Sequence, residues 1–229
     1  VKDPRNYLMI ADIYEAKKDD ANLLATINEA KAAYPKDQSV VNRELNYYVA
    51  TNKMDAYIAK VEEALKGDPN NAELLFNLAT AYNQVANPKD KSGKALAKPA
   101  NYNELFAKTE TAYDNTTKAA PQKADAFYYY GALYYNRAVD VNNVMNELGT
   151  SAAEIKKFDG LKIERDQWFN KALPHFEKVI VLLEPQGKSL KGEDFNIYQQ
   201  SIAAAKEIYA KQNKIDKVNE LKKKLDALQ

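Results

Sequence analysis

The chain offers few of the groups that carry out covalent or redox chemistry. Its one histidine, His175, has no second histidine and no cysteine with which to share a metal, because the 229 residues include no cysteine. A lone imidazole makes no acid–base constellation either, so His175 reads as a surface or packing residue beside Ala172 and Phe176, and Trp168 and Phe169 as packing residues. The seven glycines form no phosphate-cradling loop. Carboxylates are paired at Glu62-Glu63 and Asp19-Asp20, but adjacent positions on a helix diverge and acids at turns act as caps. The lysine-rich stretch 89–98 lacks interleaved aromatics and reads as a solvated loop rather than a nucleic-acid contact. The expectation is a chain with no catalytic residues, no metal and no cofactor.

Composition supports that expectation. Hydrophobic residues make up 45% of the chain and charged residues 28%, as in ordinary folded domains. Thirty-three basic and thirty-two acidic residues leave a formal charge of +1, too little for a global field that draws nucleic acid or anionic lipid. The longest apolar run, Val179 to Leu183, is far short of the roughly 18 residues a transmembrane helix needs. Without cysteine there are no disulfides, which fits the cytoplasm or a bacterial periplasm alike.

The elements that position these residues show themselves by a period. Tyr14, Tyr48 and Tyr82 are each 34 residues apart, and Pro35 and Pro69 follow the first two tyrosines by 21 residues. Apolar residues between these markers recur at helical spacing, as in Tyr7, Ile10, Ala11 and Tyr14, then Leu23, Ile27 and Ala30. Each unit is thus two amphipathic helices. Short breaks at Asp19-Asp20 and Asn52-Lys53 force antiparallel hairpins. Asn70 with Glu73 and Asn101 with Glu104 have capping-box spacing and predict helix starts.

This pattern resembles the tetratricopeptide repeat: an aromatic, an aliphatic, a small residue and a tyrosine in the first helix, then small or apolar positions before a proline. The first-helix sets are Tyr7, Ile10, Ala11, Tyr14; Val41, Glu44, Leu45, Tyr48; Leu75, Leu78, Ala79, Tyr82; and Phe127, Tyr130, Gly131, Tyr134. Second-helix positions continue as Leu23, Ile27, Ala30, Pro35, as Tyr57, Val61, Ala64, Pro69, as Thr109, Tyr113, Thr116, Pro121, and as Ala172, Phe176, Val179, Pro185. Gly131 costs roughly 0.5–1 kcal/mol inside a helix, which points to close packing there. Glu44 and Leu45 depart from the pattern and predict a local irregularity in the second repeat.

The resemblance implies an all-α, right-handed tetratricopeptide-type superhelical solenoid of about five helical hairpins, forming a single domain over residues 1–229. The repeats are expected near 4–35, 36–69, 70–121 and 122–185, followed by a degenerate C-terminal hairpin at 193–228. Tyr82 to Pro121 spans 39 residues and Tyr134 to Pro185 spans 51, so repeats three and four carry insertions of about 18 and 30 residues, at 86–100 and 139–163. The first insertion, with Pro88, Gly93 and Pro99, reads as an irregular loop. The second reads as an extended hairpin whose tip holds a short helix, capped by Ser151 and Glu154 and ended by Gly160. Lys2-Asp3-Pro4 parallels the inter-repeat junction Gly67-Asp68-Pro69, which predicts further repeats or a leader before Val1.

In this family the first helices line a concave binding face. The helical period puts Leu8, Asp12, Asn42, Asn46, Phe76, Thr80, Asn83, Tyr128 and Tyr135 on it, with Glu15, Val49, Ala132 between them. Such an amide- and aromatic-rich surface suits a neutral peptide or a glycan. Members that clamp a terminal carboxylate use cations where this chain has Leu8, Asp12, Glu73 and Asn77, which argues against that ligand. The leading expectation is a non-catalytic scaffold for a peptide or protein partner, with no nucleic acid and no membrane span. One alternative is a carbohydrate-handling or assembly component of a bacterial cell envelope, which places the chain in the periplasm or envelope. Another is an enzyme with an unrecognised carboxylate site.

Overall fold

The computed structural model of the chain describes residues 3–35 and 37–228. Within them lie ten α-helices: α1 (Pro4–Ala16), α2 (Asp20–Ala33), α3 (Gln38–Ala50), α4 (Met54–Gly67), α5 (Ala72–Ala86), α6 (Tyr102–Ala119), α7 (Ala124–Asn146), α8 (Ala152–Leu183), α9 (Gly192–Lys211) and α10 (Ile215–Asp226). A 3-10 segment, Glu184–Ser189, follows α8. The starts of α1, α3 and α5 at residues 4, 38 and 72 keep the 34-residue interval, as do those of α2 and α4 at 20 and 54. Consecutive helices pack in pairs, α1 on α2 through α9 on α10. The parallel between Lys2-Asp3-Pro4 and a repeat junction lies partly outside the described residues.

Local chemistry sets the helix ends. Asp3, Asp19 and Asp37 each accept a backbone N–H of the first turn they precede, and Pro4 opens α1, where a missing N–H costs nothing. Three hairpins share one C-terminal device. Lys18, Asn52 and Asn213 take left-handed φ values of 55°, 54° and 57°. The next residue in each then donates its N–H five residues back, to the carbonyls of Tyr14 (2.9 Å), Tyr48 (2.8 Å) and Tyr209 (2.9 Å). This 6→1 bond satisfies an orphan carbonyl and reverses the chain within three residues.

Several local expectations need correction. The side-chain cap of α5 is Asn71, which accepts from Leu74 N–H at 3.1 Å, and not Asn70. Asn101 precedes α6 without a side-chain cap bond. Ser151 and Glu154 do form a capping box, but the helix they start runs on through Gly160 to Leu183. The glycine's penalty of about 1 kcal/mol is too small to stop a helix whose later turns pack against α7. The second repeat is regular: α3 is continuous, and Glu44 is 4% exposed because partners neutralise it. Its carboxylate meets Lys31 Nζ at 3.0 Å and Lys60 Nζ at 4.0 Å, and accepts from Tyr48 at 3.2 Å.

The residues fall into two compact units. One reaches to Pro69 and takes in 87–99; the other comprises Asn70–Ala86 and the chain from Ala100 on. In the first unit Ala11, Leu23, Ile27 and Tyr47 form a core against which Tyr14, Leu24 and Tyr48 pack. The segment 87–99 holds one antiparallel bridge, Lys89 to Ala95, and a turn in which Asp90 accepts from Ser92 N–H (2.8 Å) and Lys94 N–H (3.0 Å).

In the second unit α7 and α8 form the longest hairpin. Gly131 lets them approach: a Cβ there would stand 3.1 Å from the Phe176 ring and 3.2 Å from His175 Cβ. Around that contact the interior is largely aromatic. Tyr113 stacks on Tyr130 at 5.9 Å, and His175 lies 4.1 Å from the Tyr130 ring. Tyr134 donates to Glu110 and lies 3.1 Å from the Tyr130 hydroxyl, so the buried phenols have partners. Burial, reinforced by the bond to Glu110, pushes the Tyr134 phenol upward and keeps it protonated.

Candidate functional site: the exposed face of the first helices

In the first unit this face belongs to α1 and α3. Leu8 is half-buried and Asp12 exposed, one turn apart on α1. Asp12 is not free for a ligand, since Arg43 Nη2 lies 3.3 Å from it and 3.0 Å from Glu15. Arg43, which sequence reasoning did not single out, thus ties the two first helices together. Asn42 is exposed and accepts from Gln38 at 2.9 Å, while Asn46 is exposed one turn further along α3.

In the second unit α5, α7 and α9 supply the face. Phe76 is half-buried, 5.7 Å from Tyr129 and 6.1 Å from Tyr113. Thr80 is exposed and hydrogen-bonded to Tyr113, a phenol that burial pushes up to about 12. Asn83 is half-buried. Tyr128 meets Tyr129 edge-on at 5.1 Å and Phe176 at 6.2 Å; Tyr135 meets Phe176 at 6.0 Å. Ring contacts through Tyr129 and Phe176 therefore bring Phe76, Tyr128 and Tyr135 into one aromatic strip.

The tyrosines are held from the neighbouring first helix. Tyr128 donates to Gln200 Oε1 and Tyr135 to Glu207 Oε2, both across 72 residues of sequence. Tyr129 donates to Glu193 at 3.3 Å. Glu193, Gln200 and Glu207 recur every seven residues, as Tyr128 and Tyr135 do, so α7 and α9 meet in matched rungs. Burial, then the bond to Glu207, raises the Tyr135 phenol above its ordinary range.

The face has an outer neighbour on α6, α7 and α8. Trp168 packs against Phe106 at 5.6 Å and Tyr134 at 6.0 Å, and its indole N–H donates to Glu164 at 3.3 Å. Lys171 stands 4.9 Å over its ring and Arg137 6.0 Å. Cations therefore border its ring face.

No protein-family model matches the chain, and no curated protein sequence does. Solved structures match its fold. A crystal structure of MamA protein superposes with a TM-score of 0.58 at 15% identity, over 98% of this chain and 91% of that one. A second MamA structure does so with a TM-score of 0.55 at 15% identity, over 95% and 94%. A tetratricopeptide repeat protein from Parabacteroides merdae aligns over 98% of both chains at 13% identity, with a TM-score of 0.44. The fold is of the tetratricopeptide type.

Within this tetratricopeptide-type fold, the residues that sequence reasoning missed are Arg43, Tyr129, Glu193, Gln200 and Glu207. The seven-residue recurrence on α9 was the signal that could have found three of them. Among the described residues, no three His, Cys, Asp or Glu side chains are placed to hold a metal, and no helix is long and apolar enough to cross a membrane.

Proposed function

We propose that the chain is a non-catalytic scaffold that holds a peptide or protein segment against the exposed faces of its first helices. The observation that carries this reading is the set of rungs between α7 and α9. Tyrosines fixed by hydrogen bonds to a neighbouring helix have already lost their rotamer freedom, so they offer contact area at low entropic cost on binding. Leu8, Asn42 and Asn46 in the first unit, and Phe76, Thr80, Asn83, Tyr128 and Tyr135 in the second, are the proposed contact residues, while Asp12 serves the face through its ion pair with Arg43. Their amides match the alternating donors and acceptors of an extended backbone, and the tyrosine hydroxyls, whose protons go to α9, add acceptors.

Two groups of acids elsewhere lie beside lysines. Glu44 is enclosed by two lysines, and a cavity of about 490 Å3 in the first unit carries Glu15 and Asp20 beside Lys18 and Lys53. The Glu44 carboxylate is paired with ammonium groups rather than with a second acid, as charge balance requires and as a two-carboxylate mechanism does not.

The test is an affinity pull-down from native cells with the wild-type chain, Tyr128→Ala and Asn46→Ala. Each variant is expected to lose partner retention while its far-ultraviolet circular dichroism stays unchanged. Undiminished retention by both would remove these faces as the binding surface.

A further inference from the structure

The lysines bordering the second unit's first-helix face sit in a common chemical setting. Lys123 Nζ lies 4.9 Å over the Phe76 ring, 2.9 Å from Glu73 and 3.2 Å from Asp125. Lys211 Nζ lies 5.7 Å over the Phe169 ring and 3.5 Å from Glu207. Each is an ammonium group held between an aromatic face and a carboxylate, the arrangement that favours a cation both by ring quadrupole and by charge.

A third setting of this kind lies beside them. The rings of Tyr128 and Tyr129 meet edge-on at 5.1 Å, Tyr129 is 37% exposed, and the exposed Glu193 accepts the Tyr129 hydroxyl. Among the described residues, no ammonium or guanidinium stands over either ring or within ion-pair distance of Glu193. The hydrogen-bond polarity is also one-sided. Both tyrosine hydroxyls spend their protons on α9, so what faces outward is phenol and carboxylate lone pairs that need donors. The face as a whole presents four carboxylates, Glu73, Asp125, Glu193 and Glu207, against the ammonium groups of Lys123 and Lys211.

We infer that Tyr128, Tyr129 and Glu193 together form a notch that takes a guanidinium or ammonium group from the ligand, so that the segment held on this face carries arginine or lysine. This rests on the first-helix face being the binding face. It narrows the neutral peptide expected from sequence to a cationic one. Arginine suits the notch best, because its planar group stacks on a ring while its five N–H donors meet acceptors and it brings no acceptor of its own. A ligand presenting a carboxylate here would meet like charge and find no donor.

The test uses immobilised full chain and four pools of acetylated, amidated nonapeptides with degenerate flanks and a fixed central residue: arginine, lysine, citrulline or glutamate. Citrulline keeps the size and most hydrogen bonds of arginine without its charge. Arginine and lysine pools are expected to be retained about tenfold more than the citrulline and glutamate pools, the gain of one desolvated cation contact. Glu193→Gln, which still accepts from Tyr129, should abolish the preference for arginine and lysine over citrulline; Tyr129→Leu should weaken it with Glu193 intact.

If arginine and citrulline pools are retained equally and Glu193→Gln changes nothing, the cation notch is overturned. The binding face itself survives that result if Tyr128→Ala lowers retention of every pool. Should no pool be retained at all, both the notch and the binding face are overturned.

Discussion

Replacing His175 by phenylalanine should flatten the acid side of the stability profile. The imidazole lies 4.1 Å from the Tyr130 ring, 5.8 Å from Tyr134 and 6.3 Å from Phe127. Burial there disfavours the charged form and pushes the pKa from 6.5 down to about 4, against a weaker opposite pull from Asp114. The folded state therefore holds the neutral ring, while the unfolded chain takes up a proton near pH 6.5. Because the folded pKa is depressed, the histidine's contribution is whole above about pH 6.5 and is lost as pH falls toward 4. At about 1.4 kcal/mol per pH unit, the loss reaches about 3 kcal/mol by pH 4. Carboxylates titrate over the lower part of this range in both proteins, so the quantity to measure is the difference between wild type and His175→Phe. Urea unfolding followed by Trp168 fluorescence, repeated from pH 7 downward, reads it in the unit that holds both residues. A difference independent of pH would refute the reasoning. It would mean that the surrounding ring faces stabilise the imidazolium as much as desolvation penalises it.

The buried ion cluster in the first unit gives a second expectation. Glu44→Ala strands Lys31, Lys60 and Tyr48 and should cost about 2–3 kcal/mol, below the full penalty for a broken buried pair because both lysines, about a third exposed, can turn to water. Glu44→Leu, which supplies the repeat's aliphatic residue, should cost under about 1 kcal/mol; equal losses in urea titrations of the two would contradict this. Lys18→Gly relieves a left-handed residue at φ 55° and should raise stability by about 0.5–1 kcal/mol, seen as a higher thermal midpoint. Gly131→Val forces a side chain into the 3.1 Å approach to Phe176 and should cost about 1–3 kcal/mol, whereas in Gly131→Ala the gain in helix propensity offsets part of the strain.

What could be foreseen from sequence divides by the range of the interaction. The helix pairs were legible because caps, turns and apolar spacing act within a few residues, and the 34-residue beat reappears in the starts of α1, α3 and α5. Gly131 was legible too, since its cost demanded a packing reason. Misreadings arose where packing overrode a local signal. Gly160 does not end a helix held by its partner, and Glu44 does not distort α3 because lysines from α2 and α4 reach it. The rungs between α7 and α9 lay further out of reach. Tyr128 and Gln200 are 72 residues apart, and nothing local says that their helices are neighbours. Likewise Asp12 looked like an available acid on α1 until Arg43 of α3 was placed beside it.

The setting of Trp168 has a practical consequence. As the chain's single tryptophan, it lies where α6, α7 and α8 meet, with a carboxylate at its N–H and cations over its ring. Its emission is a built-in optical gauge of that junction and requires no label. A shift of any of the three helices by a fraction of a side chain changes the electric field at the indole. Displacement of any of these helices can thus be followed by colour alone, in the unmodified protein.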